Sequence, residues 1–168
     1  MTLPHGPCAV ALLAAVAGCV HPEVFSDEFD GKPWEAQKAL LPAYPKQEDL
    51  ARIYVGRALP FAFFVDRASV GVGQDGVVRY TLVARSSSGA TNVSFEGIRC
   101  ETYAHRVYAF GRSDGTWAPA RSSQWNSIER LATSPSTSLA DDLFCSERGR
   151  VRTTEEAVRA LARGNLLR

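Results

Sequence analysis

Histidine is scarce in this chain of 168 residues: His5, His21 and His105 are the whole supply. Two of the three precede any folded body, so a zinc site built on two or more imidazoles is excluded. A Ser-His-Asp hydrolase would have to use His105, and no G-x-S-x-G elbow accompanies it. His105 is expected in an exposed turn between Glu101 and Arg106. Phosphate-binding signatures are also missing. Gly71-Val-Gly73 has no third glycine and runs into a hairpin, not a helix, and no Walker or EF-hand spacing occurs. No cofactor and no metal are expected. Charge of one sign is absent too: the formal net charge is +1, and the arginines are spread along the chain, so nucleic acid is not an expected partner. There is no internal repeat.

A long hydrophobic run is lacking as well, and the short one present is informative. From Ala9 the chain is apolar and uncharged until Val16-Ala17-Gly18-Cys19. A bilayer-spanning helix needs roughly 20 apolar residues, so the run is an export address. Small residues directly before a cysteine mark a bacterial lipoprotein cleavage site. Residues 1–18 are then a signal peptide, and Cys19 is the acylated first residue of the mature protein. Every Asp, Glu, Lys and Arg lies after position 22, as cleavage there requires. Residues 1–8 carry no Lys or Arg, unlike an ordinary leader; a start upstream of Met1 would account for that. Val20 stands where Asp would favour retention at the inner membrane, so an outer-membrane anchor facing the periplasm is expected.

Residues 19–33 read as an acidic tether, with Glu23, Asp27, Glu28 and Asp30 ahead of Lys32. Residues 34–168 are long enough for one domain with a hydrophobic core. A short helix is expected around Glu35–Leu40, ended by Pro42 and Pro45. The centre is β-rich. Phe61–Val65 is a strand, and Ser69–Val72 is either a second run or the far side of a bulge. Gln74-Asp75-Gly76 is a hairpin turn. Val77–Arg85 alternates, with Val78, Tyr80, Leu82 and Ala84 on one face. Asn92–Cys100 follows, then Val107–Gly111 and Thr116–Trp117 across the Asp114-Gly115 turn.

Ser138–Asp141 suggests a short helix leading to Cys145. Thr153-Thr-Glu-Glu156 is a capping box, followed by an apolar stripe of Ala157, Val158, Leu161 and Ala162. The expected fold is α+β: an antiparallel meander of about four to six strands, apolar on one face, with the C-terminal helix packed there.

Cys100 and Cys145 remain after the lipid site. In an oxidising compartment they are most economically a disulfide, with two buried thiols or a reactive nucleophile as the alternatives. A bridge closing about 46 residues would contribute roughly 4 kcal/mol on the chain-entropy view.

Among polar groups, the outer face of the Val77–Arg99 hairpin stands out. If the apolar faces coincide, Tyr80 pairs with Phe95 and Leu82 with Val93, which sets Arg79 opposite Glu96; a shifted register sets Thr81 opposite Glu96. The pair is then either a solvated ion pair of well under 1 kcal/mol or part of a groove. In that groove Arg79, Asn92, Glu96 and Arg99 would meet a ligand or partner. A carboxylate pair such as Asp66 and Glu96 is the one arrangement that general acid–base hydrolysis could use.

The runs Val77-Val-Arg-Tyr-Thr-Leu-Val83, Gly89-Ala-Thr-Asn-Val-Ser-Phe-Glu-Gly-Ile-Arg-Cys100 and Tyr108-Ala-Phe-Gly-Arg112, with Asp114-Gly-Thr-Trp117, resemble the CNP1-like family. These are small proteobacterial exported proteins, many of them lipoproteins. The resemblance extends from about Phe29 to Arg163 and includes cysteines at positions like Cys100 and Cys145, which favours the bridge. It implies an envelope location and supplies neither substrate nor catalytic residues. The expected role is therefore non-enzymatic binding of an envelope protein or ligand. A structural accessory of an envelope complex and a carboxylate hydrolase are the alternatives. Cys19→Ser is expected to release the protein from the membrane fraction; tight anchoring of that variant would overturn the lipid attachment.

Overall fold

The computed structural model describes residues 33–56, 59–131, 133–146 and 149–166. The expected signal peptide and the acidic tether as far as Lys32 lie outside these residues. Glu35–Arg168 forms one compact unit. It is built on an antiparallel sheet whose strands follow in chain order: β1 (Leu50–Ile53), β2 (Phe61–Val72), β3 (Val77–Ser86), β4 (Thr91–Arg99), β5 (Ala104–Gly111) and β6 (Trp117–Pro119). A two-residue strand, β7 (Asn126–Ser127), pairs with the opposite end of β5. Helix α1 (Pro135–Ser138) runs directly into a π-helical turn, Leu139–Phe144, and α2 (Thr154–Leu166) closes the chain. The structure is the expected α+β meander with a C-terminal helix.

Strand β2 is continuous in direction but bulged, since its register against β3 shifts between Asp66 and Gly71. Side chains supply hydrogen bonds that the bulge removes from the ladder. Asp66 Oδ1 accepts from the Ala68 N–H, and Ser69 Oγ accepts from the Thr81 N–H at 2.8 Å. Gly76 takes φ 72° in the β2–β3 turn, a conformation strained for any residue with a Cβ.

The β3–β4 register is one residue away from both sequence expectations. Tyr80 faces Glu96, Thr81 faces Phe95, and Val83 faces Val93. The Ser87-Ser88-Gly89 loop sets this pairing. The Ser86 N–H donates to the Ala90 carbonyl, and Gly89 sits at φ 91°. Facing partners share a side of the sheet, so Val93 and Phe95 lie opposite to Tyr80 and Leu82. The apolar pattern could not exclude this because the sheet centre is buried on both faces, not wet on one as expected.

On the first face, Val78, Tyr80, Leu82 and Ile98 pack against Leu139 and Phe144 of the π turn and Ala157 and Leu161 of α2. Tyr80 and Phe144 rings meet at 5.8 Å. On the second face, Phe95 packs with Tyr108 and Trp117. Gly97 makes room there, because a Cβ would meet the Tyr108 hydroxyl at 2.9 Å.

Residues 35–46 cross that second face as an extended strap with no helix over Glu35–Leu40. Tertiary bonds claim the backbone groups a helix would use. The Gln37 N–H donates to Asp75 Oδ2, and the Gln37 carbonyl accepts from Arg79. Further along, the Pro42 carbonyl accepts from Trp117 Nε1, and the Tyr44 hydroxyl donates to the Arg112 carbonyl.

Helix α1 begins at Pro135, three residues before the expected start, because Ser134 holds an extended cap conformation and Pro135 is preorganised for the first turn. Ahead of α2, the Glu156 N–H donates to Thr153 Oγ1 at 3.2 Å, and Glu156 Oε2 accepts from the Arg152 N–H. The buried stripe is Ala157, Ala160 and Leu161, whereas Ala162 faces solvent. Cys100 and Cys145 meet at disulfide distance, with sulfurs 2.09 Å and Cα atoms 5.3 Å apart. That bridge ties the end of β4 to the end of the π turn.

Arg79 and Asp75 form an ion pair at 2.6 Å, with side chains only 11% and 2% exposed. Burial pushes the Asp75 carboxyl up, but hydrogen bonds from Arg79 and Gln37 prevail and hold it below its ordinary value. Removing one partner of such a pair strands the other. Arg79→Ala is therefore expected to cost about 3 kcal/mol in urea unfolding, with Arg79→Lys recovering part. A loss under about 1 kcal/mol would mean that the pair behaves as a solvated one.

Candidate functional site

A cleft of about 1460 Å³ opens between the β1 edge, the turn after β4, the π turn and α2. The Cys100–Cys145 bridge lies in its wall, together with Ile53, Leu143 and Val151. Its elements are fixed by the core. Ile53 is buried from β1, Leu161 from α2 and Phe144 from the π turn, so the polar side chains beside them are carried on anchored backbone.

Five arginines line the cleft: Arg52, Arg130, Arg150, Arg159 and Arg163. Four carboxylates do so: Glu101, Asp141, Asp142 and Glu156. The acids are engaged. Glu101 receives Arg99 Nη2 at 3.3 Å and Arg150 Nη1 on its other oxygen. Asp141 Oδ1 accepts from the Tyr103 hydroxyl at 2.6 Å, and Arg130 approaches the same oxygen at 3.5 Å. Tyr103 holds φ 48°, left-handed for a residue with a side chain. The Ile128 N–H donates to its carbonyl, and the Arg130 guanidinium lies 4.5 Å over its ring. Burial, then the hydrogen bond to Asp141, pushes the Tyr103 hydroxyl up to about 12. It therefore stays a donor at physiological pH, and this corner is a fixed polar wall, not an acid–base pair.

The CNP1-like family profile matches residues 29–162, most of the chain. The chain belongs to the CNP1-like family. No curated protein and no solved structure matches it.

In this CNP1-like domain the four residues expected to share a polar groove are divided between the two faces of the sheet. Arg79 and Arg99 lie on the strap side. Arg79 is held by Asp75 and Gln37, with its guanidinium 5.7 Å over the Tyr108 ring. Arg99 is buried and pairs with Glu101. Asn92 and Glu96 lie on the helix side, where Asn92 is exposed opposite Ala84 and Glu96 is buried opposite Tyr80. The one-residue difference in register produces this split. Asp66 faces Thr81 and Glu96 faces Tyr80, so that carboxylate pair is also separated by the sheet.

His105 is not a turn residue but part of β5, opposite Ile98, with a buried Nδ1 that has no hydrogen-bond partner among the described residues. The cleft arginines were missed from sequence because β1, the loop after β7, the loop before α2 and α2 itself each contribute. Only the i, i+4 spacing of Arg159 and Arg163 gave a local signal.

Glu96 is 8% exposed. Its Oε1 accepts from Ser94 Oγ at 2.6 Å and its Oε2 from the Tyr80 hydroxyl at 3.1 Å. Burial raises its carboxyl above the ordinary value, against the opposing pull of Ser94, Tyr80 and His105. A carboxyl raised on folding contributes stability that is full below its unfolded pKa and lost as pH rises through its folded pKa. Glu96→Gln keeps a neutral hydrogen-bonding group and removes that loss. Its urea midpoint is expected to exceed that of the parent near pH 7, with the gap closing toward about pH 4. An unchanged gap across that range would mean that Glu96 does not titrate in the fold.

Proposed function

We propose that this CNP1-like protein is a cell-envelope lipoprotein that acts by binding, with the cleft beside the Cys100–Cys145 bridge as its recognition site. Acylation at Cys19 would hold it on the outer membrane, facing the periplasm. The cleft carries this reading: it is concave, its backbone is anchored by core residues, and side chains of both charge signs line it. An oxidising compartment is also where a disulfide in its wall would persist. The role is non-enzymatic in this reading. Asp66 and Glu96 lie on opposite faces of the sheet, and the cleft carboxylates Glu101, Asp141 and Glu156 are already bonded to Arg, Tyr or backbone donors.

Photo-crosslinking in intact cells tests the proposal. Benzoylphenylalanine installed at exposed Asp142, inside the cleft, is expected to capture an envelope component that the same group at Asp114, in the β5–β6 turn, does not capture. Equal capture from both positions, or none from Asp142, would sink the cleft as the recognition site.

A further inference from the structure

We propose that the open edge of β1 is a strand-addition site: an extended segment of a partner polypeptide lies in the cleft and pairs its backbone with that of Arg52. This rests on the cleft being the recognition site and names what it recognises.

Backbone direction carries the assignment. In an antiparallel ladder, successive residues turn their N–H and C=O alternately to one neighbouring strand and the other. On β3 the odd-numbered residues turn to β2: the Thr81 N–H donates to Ser69 Oγ, and the Val77 carbonyl accepts from the Gly73 N–H. Val83 faces Phe64, so Phe64 bonds toward β3, and its neighbours Phe63 and Val65 bond toward β1. Their partners Ile53 and Ala51 bond back to β2, which leaves Leu50 and Arg52 with their main chain turned out of the sheet. The Leu50 N–H agrees, since it donates to the Gln47 carbonyl outside the ladder. Strand β1 ends the sheet, and among the described residues nothing pairs with the N–H or the carbonyl of Arg52.

Arg52, Phe64 and Val83 share one row of the sheet, on the strap side, so the Arg52 side chain leaves on that face. Arg52 nevertheless borders the cleft, and it does so with its main chain. The cleft thus meets an N–H and a carbonyl pointing the same way from one residue, with the Leu50 carbonyl two positions earlier. An extended backbone offers the reciprocal carbonyl and N–H at that repeat. The cleft volume of about 1460 Å³ also exceeds the roughly 300–1000 Å³ of ordinary small-molecule pockets and suits a polypeptide. In an added strand every second side chain turns to the α2 side, where Ile53, Ala160 and Leu161 line the cleft, so apolar residues are expected at those positions. A second copy of this chain fits the edge less well. A two-fold pairing that uses both Arg52 groups sets Arg52 against Arg52, like charges face to face.

Phage-displayed random peptides selected on the immobilised protein supply the probe, with binding of the synthetic peptides measured by calorimetry. They are expected to bind Arg52→Ala like the parent, because alanine keeps the main chain. Arg52→Pro is expected to bind at least about tenfold more weakly, because proline has no N–H. At this outward position proline removes no bond of the fold, so its urea midpoint should stay near that of the parent. N-methylation along a selected peptide is expected to abolish binding at every second residue only. The Arg52 amide is expected to exchange rapidly in the free protein and to slow when the peptide binds. If Arg52→Pro fails to fold, the methylation pattern and the amide exchange decide the matter. Strand addition is overturned by failure to select any peptide, by methylation effects without alternation, or by equal losses in Arg52→Ala and Arg52→Pro. An Arg52 amide already protected in the free protein overturns it too, and protection that disappears on dilution would give the edge to a second copy. If these measurements fail while the crosslink from Asp142 persists, strand addition alone falls; if the crosslink is lost as well, the recognition site falls with it.

Discussion

The Asp75 carboxylate sits almost out of water between the Arg79 guanidinium and the Gln37 backbone N–H, and the second face of the sheet depends on that contact. A meander with one helical layer buries one face and leaves the other to solvent. Here Val77, Val83, Val93 and Phe95 all point away from the helices and are nevertheless buried. Their cover comes from Tyr108, Trp117 and the extended strap of residues 35–46. The strap has no secondary structure of its own to hold it in place. Its attachment rests on Gln37 at one end and on the Pro42 and Tyr44 hydrogen bonds toward the other.

With both faces covered, the helical layer is free to serve as one wall of a site. Phe144, Leu139 and Leu161 anchor the π turn and α2 on the sheet, and the Cys100–Cys145 bridge joins that layer to the end of β4. A π turn widens the helix and breaks the regular i→i−4 ladder, a geometry that often accompanies functional sites. It carries Asp141 and Asp142 to the cleft while Phe144 stays in the core. The polar wall made by Tyr103, Asp141 and Arg130 is held from three separate segments, so its geometry belongs to the fold and not to any single loop.

Local signals in the chain were reliable where short-range physics decides. Asp75-Gly76 and Asp114-Gly115 turn as expected because glycine accepts positive φ at no steric cost. Thr153 caps α2 because its hydroxyl reaches the Glu156 N–H within one turn. The short strand β1 gave too little alternation to be read. Residues 35–40 looked helical by composition, but their backbone bonds went to Asp75 and Arg79, over forty positions away in the case of Arg79. The four-residue polar groove failed for a different reason. It assumed one buried face, and with two buried faces the apolar pattern fits either side, leaving register to the Ser87–Gly89 loop.

The amino-acid order by itself determined the antiparallel meander, its glycine turns, the capped terminal helix and the CNP1-like membership, since each depends on residues within a few positions or on a continuous motif. Only the tertiary structure decided which side of the sheet each polar residue occupies, that Arg79 is a buried clasp, and that arginines from distant segments converge beside the bridge. Those outcomes follow from contacts between segments tens of residues apart, where a one-residue shift in pairing reverses a strand and no local preference opposes it.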